Sequence, residues 1–106
     1  MTVEDVMTRL EGLGSEKQRA MNAKNGAGEN QFGVKMGDLR NVAKETKIDH
    51  ELGLKLWETG NVDARHLATL IMKPKQLTAD QIDEMTRSVS YTNLADWFTS
   101  YVTKHH

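Results

Sequence analysis

The sequence predicts an all-α chain of short antiparallel helix pairs, and three observations carry that prediction. No run alternates apolar and polar residues at the period of two that a half-buried strand needs. Apolar residues recur instead at helical spacing, segment after segment, each preceded by a residue suited to capping. The later segments also fall into two successive pairs, about residues 50–73 and 79–105, that follow each other at a period of about 30, in the range of helical repeat arrays.

Each element has its own signal. Thr2 with Asp5 resembles a capping box, and Val3, Val6, Met7 and Leu10 mark one face of a first helix that ends at Gly14. Ser15 with Gln18 opens a short second helix, which fades into the glycine-rich stretch NAKNGAGENQFG, the one clear loop. A third helix carries MGDLRNVAKET, with Leu39, Val42 and Ala43 inward. Asp49 caps HELGLKLWET, whose apolar side is Leu52, Leu56 and Trp57 and whose stop is Gly60. Asn61 caps VDARHLATLIMK, where Ala64, Leu67, Ala68 and Ile71 form a narrow small-residue stripe that ends before Pro74. Thr78 and Gln81 form a second capping box ahead of Ile82, Met85 and Val89, and Asn93 is the expected cap of the last helix. The total is six to seven helices, with no linker to divide residues 1–106 into two domains. The last helix reaches VTKHH without a glycine or proline stop, so the chain is expected to be the N-terminal part of a longer protein.

Composition bounds the function. A hydrophobic share of 38% and a net charge of −1 suit a soluble globular domain, and they argue against a strongly basic, dedicated nucleic-acid binder. Absence of cysteine removes disulfides and thiolate metal sites and fits a cytoplasmic protein. No apolar run approaches membrane-spanning length, and MTVEDVMTRLEG is too acidic for a signal peptide.

Several motifs can be set aside on spacing. HELGL begins like a zinc-protease helix, but its second histidine position is Leu54. His66 stands alone on its helix and reads as half-buried packing, while the adjacent His105 and His106 point in different directions, so no metal is assigned. GAGENQFG has no preceding strand and no following Lys-Ser/Thr, which makes it a flexible connection rather than a phosphate loop.

What remains is Asp96, in YTNLADW. Counting 100° per residue from Leu94, the residues Trp97, Phe98, Tyr101 and Val102 share the apolar side, and Asp96 falls opposite with Thr99, Ser100 and Thr103. Two readings stay open from the residues alone. With Asn93 as cap, Asp96 is the third helical residue, where a carboxylate bonds back and meets the positive end of the helix dipole. Alternatively, it is a functional carboxylate kept accessible by small hydroxyl neighbours.

Taken in order, FGVKMGDLRNVAKE, DHELGLKLWETGNVDARHLATLI, LTADQIDEM and YTNLADW resemble the DNA alkylation repair family, the AlkD-type alkylpurine DNA glycosylases, from about Phe32 onward. The resemblance implies a right-handed superhelix of HEAT-like helix pairs whose concave basic face grips the DNA backbone. It also implies release of N3- and N7-alkylated purines without metal or organic cofactor and without base flipping. The family's catalytic aspartate falls on Asp96, where a carboxylate would stabilise the oxocarbenium charge developing on the sugar and orient the attacking water. Active members carry tryptophan just before that aspartate, whereas this chain has Tyr91 and Thr92 there. A further arginine of the family's site lies beyond the last residue of this chain. Candidate backbone contacts are Lys35, Arg40, Lys44 and Arg65, of which Arg40 and Arg65 also read as structural. Two functions are therefore expected: a metal-free glycosylase-like hydrolase, inactive as this segment alone, or a non-catalytic helical-repeat module that binds nucleic acid or a protein partner. Exposed apolar surface at the end of such a stack would also favour a dimer.

Overall fold

The computed structural model of the chain describes residues 1–105; the histidine of the terminal pair at position 106 lies outside them. Among the described residues seven α-helices follow in order: α1 (Val3–Leu13), α2 (Glu16–Lys24), α3 (Met36–Thr46), α4 (His50–Glu58), α5 (Val62–Ile71), α6 (Ala79–Arg87) and α7 (Thr92–Tyr101). Short 3-10 turns lie at Pro74–Gln76 and Thr103–His105, and no strand occurs among the described residues. Among the described residues, no helix is long and apolar enough to cross a membrane.

The helices begin where hydroxyl and amide side chains replace the missing backbone partners of a first turn. Both capping boxes form: Asp5 N–H donates to Thr2 Oγ1 and Thr2 N–H to Asp5 Oδ2, and Thr78 and Gln81 repeat the exchange. Asp49 and Asn61 accept from Leu52 N–H and Ala64 N–H in the same way. One expected cap does not form. The last helix starts at Thr92, its cap position is Tyr91 with no side-chain hydrogen bond, and Asn93 lies inside the helix with its carboxamide committed elsewhere.

The packing is built around α5. The three residues 59–61 turn the chain from α4 onto α5, and α3 and α7 both pack against α5, so that α3, α5 and α7 form one layer. Small residues make this possible: Ala64 and Ala68 are fully buried, and Gly53 faces α5 where a Cβ would come within 2.5 Å of Met72 Cγ. Val6 and Leu10 of α1, Leu39 and Val42 of α3, Leu56 and Trp57 of α4 and Phe98 of α7 complete one continuous core. Trp57 and Phe98 meet with ring centroids 5.1 Å apart, locking α4 to α7. Burying an aromatic or aliphatic side chain of this size contributes about 1.5–3 kcal/mol. These few residues therefore supply most of what sets the positions of α3 and α7.

Candidate functional site

The segment that leads into α3 is irregular, as its glycines suggest, but it is tied down. Gln31, only 4% exposed, donates through Nε2 to Arg19 O and Gly28 O (3.0 Å each) and accepts from Asn22 Nδ2 at 3.1 Å. Below it, the carboxylate of Asp63 accepts three backbone N–H groups: Phe32 at 2.6 Å, Gly33 at 3.2 Å and Val34 at 3.1 Å. Asp63 is 1% exposed, and no cation pairs with it among the described residues. Its charge is thus held by converging backbone dipoles, a strong form of hydrogen bond. Gly33 allows the arrangement, because its φ of 77° is left-handed and a Cβ there would lie 2.5 Å from Arg19 N. The expected flexible connection is therefore a fixed strap that sets where Lys35 and α3 begin.

The start of α7 is fixed by His66, which sits on α5 and is fully buried. Its Nδ1 lies 3.0 Å from Val62 O, and its Nε2 lies 3.1 Å from Asn93 Oδ1. Burial holds the imidazole below its ordinary pKa, against the opposing pull of Asn93, Val62 and Asp63. Both ring nitrogens thus face oxygens, and which of them donates depends on the tautomer. This use of Asn93 is why it does not cap α7.

The shift of the helix start changes the reading of Asp96. It is the fifth residue of α7 rather than the third, beyond reach of the unpaired first-turn N–H groups. The capping role expected for it is therefore absent. Its side chain is exposed, as the helical wheel requires, and has no hydrogen-bond or ion-pair partner among the described residues. Thr92 is exposed one turn earlier on the same helix. Tyr91, by contrast, turns inward: it is 7% exposed, packs with Val62 and Leu94, and presents its ring edge-on to His66. Burial raises the pKa of its hydroxyl.

The cations separate into two groups. Arg65 is used internally: Nε donates to Trp57 O at 3.1 Å, Nη1 to Ser88 O at 3.3 Å, and the guanidinium lies 4.6 Å from the Trp57 ring centroid. Lys35, Arg40 and Lys44 of the α3 segment are exposed, and none forms an ion pair among the described residues. The acid nearest in sequence to Lys44, Glu45, is taken by Arg9 of α1 at 2.9 Å and held below the usual carboxylate range by it.

Arg40 reaches from α3 to α7. Its guanidinium carbon lies 5.2 Å from the Trp97 ring centroid, and Nη2 donates a long 3.4 Å hydrogen bond to Tyr101 Oη. Trp97 was expected in the core; it is instead half-buried beside the core. It stacks on Tyr101 at 4.8 Å and meets the edge of His66 at 5.4 Å, and its buried indole N–H has no acceptor. The structure thus brings Arg40 onto the helix that carries Thr92 and Asp96, while Tyr91 lies beneath.

Exposed cations of the α3 segment beside an aromatic stack on α7 suit a ligand that is anionic along its length and aromatic at intervals. The residues that organise this surface, Asp63, His66, Trp97 and Tyr101, carry little signal in the sequence. Asp63 looks like any acid in a first helical turn, and only the position of the strap over α5 reveals its function.

Comparison with known proteins identifies the family and the fold. A sequence model of the family described as "DNA alkylation repair enzyme" matches residues 6–106. Over 55 residues, half of the chain, the sequence is 36% identical to the uncharacterized protein Lmo0209 of Listeria monocytogenes, and 34% identical to its counterpart Lin0241 of Listeria innocua; the match spans 25% of each relative. A solved structure, reported as belonging to "a new family of proteins related to the HEAT-like repeat DNA glycosylases with affinity for branched DNA structures", superposes with a TM-score of 0.85 and 35% identity. That superposition covers 91% of this chain and 41% of the other, so this chain spans well under half of the solved relative. The fold is accordingly HEAT-like and all-α, and the chain belongs to the DNA alkylation repair family.

Proposed function

We propose that this chain is the N-terminal part of a HEAT-like DNA-binding protein of alkylation repair, and that it contacts the sugar-phosphate backbone through the exposed face of α3 and α7. The observation that carries the reading is the run of exposed cations Lys35, Arg40 and Lys44 along one segment, with Arg40 set against the rings of Trp97 and Tyr101 on α7. The affinity of the solved relative for branched DNA supports the same direction. Fluorescence anisotropy with labelled duplex and junction DNA tests it. Binding that weakens steeply with salt, as counterion release requires, is the expected result. Binding to neither DNA, or salt-independent binding, would overturn it.

A second reading adds chemistry: hydrolysis of the N-glycosidic bond of N3- or N7-alkylated purines, with Asp96 as the catalytic carboxylate and no metal. It is favoured by the exposed and unpartnered state of Asp96, which has lost the capping role that would otherwise explain it. An alkylated purine is already a good leaving group, so one carboxylate near the anomeric carbon supplies the main electrostatic need. Thr92 weighs against it, since an aromatic residue precedes the aspartate in active members. Base release from DNA containing N7-methylguanine, measured for the full-length protein and for its Asp96→Asn variant, decides the matter. A rate at least about a hundredfold lower in Asp96→Asn is expected. No release by the full-length protein removes the chemistry and leaves the binding reading intact.

A further inference from the structure

Arg40, Trp97 and Tyr101 are the strongest feature of the molecule that simple backbone binding does not use. A cation meant only for a phosphate needs charge and reach, which an unstacked lysine provides. Here the guanidinium is held over an indole, tied to a phenol oxygen, and backed by a second ring that lies 4.8 Å from the first. The stack is braced from below by the edge of His66. Arg40 is its exposed member, and a guanidinium is planar, so its outer side is a surface on which a base can stack. Only one of its five N–H groups is engaged, by a long bond, and the rest are free for a neighbouring phosphate.

We propose that Arg40, supported by Trp97 and Tyr101, is a stacking platform for one unpaired nucleotide, so that this face prefers DNA with a splayed or branched strand over continuous duplex. The proposal rests on the DNA-binding reading above and names the feature of DNA that the α3–α7 face selects. In a continuous duplex the bases stack on one another and offer no free face. At a branch point or in a single strand they do, and stacking of a base on a protein platform changes affinity roughly five- to hundredfold.

The test separates the plane of Arg40 from its charge. Dissociation constants are measured by anisotropy for a blunt duplex, a three-way junction with one unpaired nucleotide at the branch, and oligo-dT, using the native 106-residue chain, Arg40→Lys and Tyr101→Phe. Arg40 is exposed, so its replacement leaves the core intact, and circular dichroism checks this. For the native chain, the junction and oligo-dT should bind at least about fivefold tighter than duplex. Arg40→Lys, which keeps the charge but loses the plane, should weaken binding of the junction and oligo-dT at least about fivefold more than binding of duplex, abolishing the preference. Tyr101→Phe, which retains the ring but loses the bond to Arg40, should reduce the preference in part. Equal losses on all three DNAs would make Arg40 a phosphate contact only and overturn the platform while leaving DNA binding in place. A native chain that binds none of the DNAs would overturn both readings.

Discussion

Replacing Asp63 with alanine should be the most damaging single change to the site, although Asp63 touches no ligand. Its carboxylate accepts the backbone N–H groups of Phe32, Gly33 and Val34. Gly33 and Val34 are buried, so the variant strands two N–H groups at about 1–3 kcal/mol each, and the half-exposed Phe32 N–H can turn partly to water for about 1 kcal/mol. The sum is roughly 3–7 kcal/mol, which for a domain of this size lowers Tm by on the order of 15–30 °C. Asp63→Asn keeps the shape and one acceptor oxygen, and should lose about half as much. Thermal unfolding followed by circular dichroism measures the total. Hydrogen exchange supplies the local readout: amides 33 and 34 should lose protection in both variants, more in alanine than in asparagine. A cost below about 1 kcal/mol for Asp63→Ala, or unchanged exchange at these amides, would refute the view that this carboxylate holds the strap that positions α3.

Two further outcomes are expected. Burial depresses the folded pKa of His66 below the ordinary histidine value of about 6.5, so the unfolded chain takes up a proton first as pH falls. The His66 contribution is therefore fully present above about pH 6.5 and is lost as pH drops toward the folded pKa; His66→Gln should flatten the fall in Tm across that window, and an unchanged pH profile would count against it. Asp96→Asn should leave stability within about 0.5 kcal/mol of the native chain, because the carboxylate is exposed, unpartnered and past the first turn of α7. A larger loss in chemical denaturation would give Asp96 a structural role that the fold does not contain.

The legibility of this chain divides along one line, between local and long-range determinants. Caps at Thr2, Ser15, Asp49, Asn61 and Thr78 were readable because the side chain and the N–H it serves lie three residues apart. The buried stripe of α5 was readable because burial imposes helical periodicity on residue type. Asn93 misled for a local reason: it is a good cap by type, but His66, 27 positions earlier, competes for its carboxamide and wins. The same displacement removes the local explanation for Asp96. Trp97 misled because a helical wheel gives direction without saying where the core stops, and at that edge Arg40 of α3 is its neighbour.

By itself, then, the sequence determined the fold class, the order and most of the boundaries of the helices, and the outward direction of Asp96, since each follows from contacts within about one helical turn. Tertiary structure decided which polar residues are spent holding the molecule together and which are left free. Asp63 and Arg65 are consumed inside, whereas Lys35, Arg40, Lys44 and Asp96 reach the surface without ion-pair partners among the described residues. The physical reason is that a side chain's charge is visible in sequence, but whether it is compensated depends on groups brought from some 30 to 60 positions away, as with Asp63 and Gly33 or Arg40 and Tyr101.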